Sequence, residues 1–295
     1  MRQSVVFFVL SVLGFCLAPI RSRGLYRAAT WVARFARPGE KITLPLRNDA
    51  QFVFGANDPY WLRVVSPFFQ YETEIDVVLK KVVDTNYVFV DCGANLGYWS
   101  VLVSCTDYGK HPAVAIEPMS KTYEGLLANR DLNDSRFVSV NAAIYSKPGA
   151  LLSFIGDDNA PSQVGAHAVS EVSEGTEGAI RTTTIDEVVQ QQGWRDLPTV
   201  VKLDVEGAET SALEGAEIAL QGDCLIMYED HGSDRNCVAS RWFFDRGIKV
   251  LFVRGSELVE VKTIGQISKL KKHTFIGYNF FAVTKGGELE KSLLR

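Results

Sequence analysis

The residues best suited to chemistry lie where short apolar runs end in an acid. Asp91 closes Val88-Phe89-Val90 and is followed at once by the turn Cys92-Gly93-Ala94-Asn95-Leu96-Gly97. Glu117 closes Ala113-Val114-Ala115-Ile116, and Asp204 closes Val200-Val201-Lys202-Leu203. A strand that ends in a carboxylate and turns through glycine into a helix is how an open α/β sheet builds a nucleotide pocket. The first turn reads Asp-x-Gly-x-x-x-Gly, which is neither the Gly-x-Gly-x-x-Gly of dinucleotide binders nor the lysine-bearing P-loop. Those loops cradle phosphates. Here the turn has no lysine and the strand ends in an acid, which suits an amine or a hydroxyl. S-adenosylmethionine offers both and carries no phosphate. Glu117 falls where such folds hold ribose hydroxyls. An ordinary α/β turn with two solvated acids is the plain alternative for this pair.

These acids need a sheet to hold them. From Asp84 onward strands and helices alternate, which predicts a parallel sheet with crossovers. Strands are expected at 87–91, 113–117, 137–141, 199–204, 223–229 and 248–253, and helices at 96–105, 119–131, 184–191, 207–220 and 235–246. Upstream, 41–46 and 51–54 read as a hairpin, and 61–83 carries helical periodicity. The polar stretch 165–178 is the expected mobile loop, placed to act as a lid.

The chain resembles the FkbM family of S-adenosylmethionine-dependent methyltransferases. The resemblance rests on FVDCGANLGYWS at 89–100, AIEP at 115–118, TTTIDEV at 182–188, VVKLDVEGAE at 200–209 and YNFFAVTK at 278–285, and spans most of 66–285. It implies a class I, Rossmann-like, doubly wound sheet, mostly parallel, with the strand at 278–284 antiparallel and inserted between the two before it. It implies S-adenosylmethionine as cofactor, with Asp91, Gly93, Asn95, Gly97 and Glu117 around it. Asn141, at the end of the third strand, is expected to face the adenine. Glu72 lies in an acidic segment similar to one the family carries ahead of its first core strand and is a further ligand candidate, against a solvated helix face. The implied reaction is methylation of a hydroxyl on a saccharide, glycolipid or natural product.

Methyl transfer to an alcohol requires in-line alignment and removal of a proton. Candidate bases at the strand ends are Asp204, Glu206 and His231, with Glu209 and Glu229 nearby. Glu206 and Glu209 also suit the first turn of a helix, where acids complement the dipole. Lys202 is placed to pair with Asp204 or with the acceptor. Ligand spacing supports no metal site. The readings from other classes are a non-catalytic protein that binds a glycan or partner on this fold, and a nicotinamide-dependent oxidoreductase. The missing dinucleotide fingerprint argues against the second.

With 295 residues, 46% hydrophobic and 22% charged, the chain is long enough for one large domain or two small ones. Its formal charge of −4 and the lack of a basic run argue against nucleic acid as a partner. The five cysteines include no Cys-x-x-Cys pair. Their odd number suits a reducing compartment rather than a disulfide framework.

Residues 5–20 form a 16-residue run without charge, about 24 Å long as a helix and short of a 30 Å hydrocarbon core. A membrane anchor, a cleaved signal peptide and a packed helix are the three readings. A signal peptide would be cut after Cys16-Leu17-Ala18, and Pro19 following the cut disfavours the second. The anchor is the reading preferred here. Arg21, Arg23 and Arg27 then place the catalytic domain on the cytoplasmic side of the membrane, a plain cytoplasmic protein being the alternative. Residues 25–35 follow as a basic helix bearing Trp31, either lying in the headgroup region or packed on the body. The expected organisation is an anchor at 1–22, a basic helix and hairpin at 23–65, and a methyltransferase domain at 66–295. Asn133-Asp134-Ser135 is a glycosylation sequon that matters only in a secreted chain.

Overall fold

The run Val88–Cys92 is buried at every position, as a strand covered on both faces must be. In the computed structural model it lies in the interior of an eight-stranded sheet. The structure describes residues 3–17, 24–155, 167–205, 207–230, 234–272 and 278–295.

The chain begins with helices α1 (Gln3–Leu17) and α2 (Leu25–Ala33), followed by the hairpin β1 (Lys41–Arg47) and β2 (Ala50–Gly55). Short helix α3 (Pro59–Leu62), a 3₁₀ turn and α4 (Thr73–Lys81) lead into β3 (Val88–Cys92), α5 (Tyr98–Val103), β4 (Ala113–Ile116), α6 (Ser120–Leu132) and β5 (Val138–Val140). An excursion holds β6 (Ala143–Ile144), β7 (Leu151–Ile155), β8 (His167–Glu171) and β9 (Ile180–Thr183). Next come α7 (Ile185–Gln191), β10 (Thr199–Leu203), α8 (Glu209–Glu214), α9 (Glu217–Gln221) and β11 (Cys224–Glu229). The chain ends with α10 (Val238–Asp245), β12 (Lys249–Arg254), β13 (Glu257–Val261), α11 (Ile264–Lys271), β14 (Asn279–Val283) and α12 (Glu288–Leu294).

The main sheet runs β13-β12-β14-β11-β10-β3-β4-β5. The block β11-β10-β3-β4-β5 is parallel, while β14 is antiparallel to both β11 and β12. The inserted antiparallel strand is therefore where the resemblance implied it. The sheet is more mixed than expected, because β13 adds an antiparallel edge and β6-β9-β7-β8 form a second sheet. The expected loop at 165–178 contains β8, paired antiparallel with β7; residues 165–166 lie outside the described residues.

Two apolar clusters cover the faces of the main sheet. Val90, Val201 and Ile226 belong to one, and Phe89, Val200 and Leu225 to the other, following the two-residue period of a strand. A third cluster joins Leu10 and Val32 of the leading helices to Phe52, Phe54, Trp61 and Leu96. The hairpin is fastened to α6 through side chains. Asn129 accepts from the Val53 amide at 2.7 Å and donates to the Val53 carbonyl at 2.9 Å. Asn133 does the same for Gln51, at 2.9 and 2.7 Å. Two amides one helical turn apart thus pair with alternate residues of β2, as a neighbouring strand would. The sequon asparagine is consequently buried and fully used.

The expected span is corrected. Among the described residues no helix is long and apolar enough to cross a membrane. Helix α1 is apolar, but Val6 and Leu10 are buried in the third cluster. A methyl group added at Gly14 would lie 1.8 Å from the Ser66 hydroxyl oxygen. One face of the helix is therefore committed to protein, and the charge-based orientation across a membrane has no span to rest on. Helix α2 packs through Leu25, Ala29 and Val32. It ends at Ala33, so Phe35 follows it and is exposed.

Candidate active site

The loop after β3 is built on two left-handed glycines, Gly93 (φ 74°) and Gly97 (φ 81°), with Asn95 also left-handed at φ 51°. This conformation strains residues bearing a Cβ and costs glycine little. It turns the chain back from the strand end and starts α5. The loop and the ends of β3, β4, β10 and β11 face a cavity of about 360 Å³, at the place where ligands sit in open α/β sheets.

Asp91 is buried at its base. One carboxylate oxygen accepts from the Ser100 hydroxyl at 2.7 Å, and the other has no partner among the described residues. Burial raises its pKa, against the pull of Lys202 and the Ser100 hydrogen bond. Glu117 accepts from the backbone amides of Asn95 and Met119, both at 3.0 Å. Burial nevertheless pushes its carboxyl up to about 8. The Asn95 side-chain oxygen accepts from Trp61 Nε1 at 3.0 Å and from the Leu96 amide at 2.9 Å, so the loop is pinned from outside as well.

Lys202 and Asp204 come from β10 and its end. The buried Lys202 ammonium donates to Asp204 Oδ2 at 2.9 Å. Burial alone would lower its pKa, but Asp204, Glu72 and Asp91 together raise it well above the ordinary lysine range. Glu72 is left-handed (φ 42°), precedes α4 and accepts from Trp99 Nε1. Burial raises its pKa, with Lys202 opposing.

Asp91, Gly93, Asn95, Glu117, Glu72 and Asp204 are brought together around one cavity. Gly97 and Asn141 do not line it. A Cβ at Gly97 would lie 2.4 Å from Leu126, so its place is the contact between loop and α6. Asn141 donates to the carbonyls of Glu117 at 2.8 Å and Pro118 at 2.9 Å, which holds the turn bearing Glu117. Glu206 and His231 lie outside the described residues. Sequence reasoning missed an aromatic wall. Tyr60, Trp61, Tyr71, Tyr98 and Trp99 all line the cavity, and the Tyr60 and Tyr71 hydroxyls meet at 3.0 Å. Burial raises Tyr60 to about 12, with nearby Glu72 adding to it. Tyr60 and Trp61 precede residue 66, so the pocket draws on both sides of the expected domain boundary. Among the described residues no group of three or more His, Cys, Asp or Glu could hold a metal ion.

The fold and site define an α/β protein of the methyltransferase type. The chain belongs to the FkbM methyltransferases: the family model for the methyltransferase FkbM domain matches residues 91–248. It is 31% identical over 162 residues to the hexuronic acid methyltransferase AglP of Haloferax volcanii, a match covering 54% of this chain and 62% of the relative. The chain thus spans less than two thirds of that relative's length. Among solved structures, it is similar to the methyltransferase FkbM from Methylobacillus flagellatus KT at TM-score 0.40 and 19% identity, over 68% of this chain and 44% of the other. It is also similar to P. horikoshii TYW2 in complex with MeSAdo at TM-score 0.42 and 14% identity, over 92% and 85% of the two chains.

Proposed function

We propose that this chain uses S-adenosylmethionine to methylate a hydroxyl group of a saccharide or of a lipid-linked glycan. The observation that carries this reading is Asp91, a buried carboxylate on the cavity with one oxygen lacking a partner among the described residues. A buried polar atom of that kind calls for a ligand donor. The donor chemistry fits. Among the described residues six acidic side chains line the cavity, namely Glu72, Glu74, Asp91, Glu117, Asp204 and Glu229, and Lys202 is the one cation. Such a field favours a ligand carrying positive charge.

Bound there, S-adenosylmethionine would supply a methyl group on a cationic sulfur that is already a good leaving group. Asp91 and Glu117 would hold its amine and hydroxyl groups, and the glycine loop would lie against it. Asp204 is the proposed base toward the acceptor hydroxyl, with Glu206 and His231 as further proposed bases. Lys202 keeps Asp204 oriented through their hydrogen bond. A saccharide acceptor is supported by the aromatic wall, whose flat faces suit the apolar face of a sugar ring, and by the hexuronic acid methyltransferase to which the chain is similar. The lining charge favours an uncharged ring over a uronate, whose carboxylate would face like charge.

The test is calorimetry with S-adenosylhomocysteine and S-adenosylmethionine on the wild type, Asp91→Asn and Glu117→Ala, with transfer of labelled methyl into neutral and acidic saccharide pools. Each variant should weaken binding by roughly 0.5–3 kcal/mol, the range that spans hydrogen bonds to neutral and to charged groups. Unchanged affinity in both variants would remove the site assignment. Label entering protein or amine pools in place of saccharides would remove the acceptor assignment.

A further inference from the structure

The large apolar side chains left exposed are concentrated at one end of the chain. Phe8, Val12 and Phe15 project from α1, Trp31 and Phe35 from α2 and the residues after it, and Phe68 from the segment below. Phe8 is 70% exposed, Phe15 65% and Trp31 55%. Ring contacts pair some of them, Phe15 with Phe68 at 5.4 Å and Trp31 with Phe35 at 5.0 Å. Neither helix lacks a place to pack. Val6 and Leu10 of α1, and Ala29 and Val32 of α2, already fill the third core cluster, and the two helices lie against each other. The exposed side chains are a second apolar face on elements whose first face is satisfied. Exposed aromatic side chains concentrated on neighbouring elements mark interaction surfaces.

Charge identifies the partner. Residues 1–39 hold six arginines and no Asp or Glu. Because the whole chain has 31 Lys+Arg and 35 Asp+Glu, the rest carries 25 against 35 and is strongly acidic. Arg27, Trp31 and Arg34 are all exposed and follow one another at helical spacing, so one stripe of α2 and its C-cap carries two cations and an indole. Inserted aromatic side chains with arginines at phosphate level are the makeup of a helix that lies in a membrane interface. At 15 residues α1 is suited to lying in that plane and not to crossing it.

We propose that α1 and α2 form a docking surface for a bilayer containing anionic phospholipid, with Phe8, Phe15 and Trp31 inserted among the headgroups. The acidic remainder of the chain would be repelled from such a surface, so charge orients the contact. The docking helices also adjoin the pocket wall. Helix α2 packs on α3, which carries Tyr60 and Trp61, and the Arg63 guanidinium lies 5.7 Å from the Tyr26 ring and 4.4 Å from the Tyr60 ring. The inference does not depend on the methyltransferase reading.

The experiment is co-sedimentation of the full chain with vesicles of phosphatidylcholine, with and without phosphatidylglycerol. The wild type should bind the anionic vesicles, and salt should weaken that binding. Phe8→Ser/Phe15→Ser alters exposed residues only and should reduce partitioning at least tenfold. Arg27→Glu/Arg34→Glu should reduce it at least about fivefold for each charge. Thermal unfolding and donor calorimetry should stay at wild-type values in both variants, separating loss of docking from loss of fold or site. Absence of binding, equal binding to neutral vesicles, or binding that both variants retain would overturn the proposal. So would a concentration-dependent dimer that these substitutions abolish in a chain that ignores vesicles, since the face would then join two copies of the protein.

Discussion

A methyl group added to Gly93 would lie 1.8 Å from the carbonyl oxygen of Asp204 and 2.9 Å from its carbonyl carbon. The first glycine of the loop after β3 is therefore set by the neighbouring strand end, which it touches backbone to backbone. The Asp204 amide in turn donates to the Cys92 carbonyl at 3.1 Å. Gly93→Ala meets both this contact and a positive φ of 74°, so the expected destabilisation is about 2–5 kcal/mol from overpacking and backbone strain together. Gly255→Ala, also at positive φ but facing open space, should cost only about 1 kcal/mol. Urea unfolding of the two variants makes the comparison, and equal losses would show that the Asp204 contact is unimportant.

Glu117 should leave a signature in the pH dependence of stability. Burial raises its carboxyl from 4.5 to about 8. The folded chain thus holds this proton more tightly than the unfolded chain does, and folding takes up a proton between those values. The stability tied to this group is fully present below about pH 4.5 and is lost as the pH rises through about 8. Wild type should lose on the order of a few kcal/mol across that window. Glu117→Gln cannot titrate and leaves one of the two backbone amides without a carboxylate partner, so it should start less stable and stay level. Unfolding at about pH 5 and about pH 8.5 measures this linkage; a gap between the two proteins that fails to narrow with rising pH would contradict it.

Much of this arrangement was legible in the chain. Asp91, Glu117 and Asp204 each end an apolar run, and the period of those runs placed five parallel strands within a residue or two. Other features were set by contacts between distant segments. The helix expected at 207–220 is broken in two around Gly215, whose added Cβ would lie 2.4 Å from the Tyr145 carbonyl oxygen. The excursion at 143–183 became a sheet because β7 pairs with both β8 and β9, and no period in a polar segment announces such partners. Tyr60, Trp61 and Tyr71 read as ordinary apolar positions. Only the return of their segment across the glycine loop, fixed by the Trp61 bond to Asn95, turns them into a pocket wall.

Lys202 should be required for the fold as well as for the site. Its ammonium is buried and offsets Asp204, Glu72 and Asp91. Its own pKa lies above the unfolded value, so the stability it confers is fully present below about pH 10.5 and is lost only as the pH rises through the higher folded value. Lys202→Met keeps the volume and removes the charge, leaving the three acids uncompensated. The expected loss is about 3–5 kcal/mol at neutral pH, as for breaking a buried pair from one side. In the variant the acids should hold protons in the folded state, so the deficit should shrink as the pH falls toward about 4. A deficit independent of pH, measured by chemical unfolding, would mean that the lysine acts through packing and not through charge.

Asp204 lies at the carboxyl end of β10, on the cavity, with Oδ2 engaged by Lys202 at 2.9 Å. It is less enclosed than Asp91, which suits a group that must meet an acceptor arriving from outside. Asp204→Asn preserves shape and removes the proton acceptor, so single-turnover methyl transfer should slow by roughly 10²–10⁴-fold, the usual contribution of a general base. Donor affinity should change far less, because Asp91 and Glu117 remain in place. His231→Ala is the parallel measurement. If it slows transfer and Asp204→Asn does not, the base is the histidine; if neither slows the reaction, proton removal depends on another group.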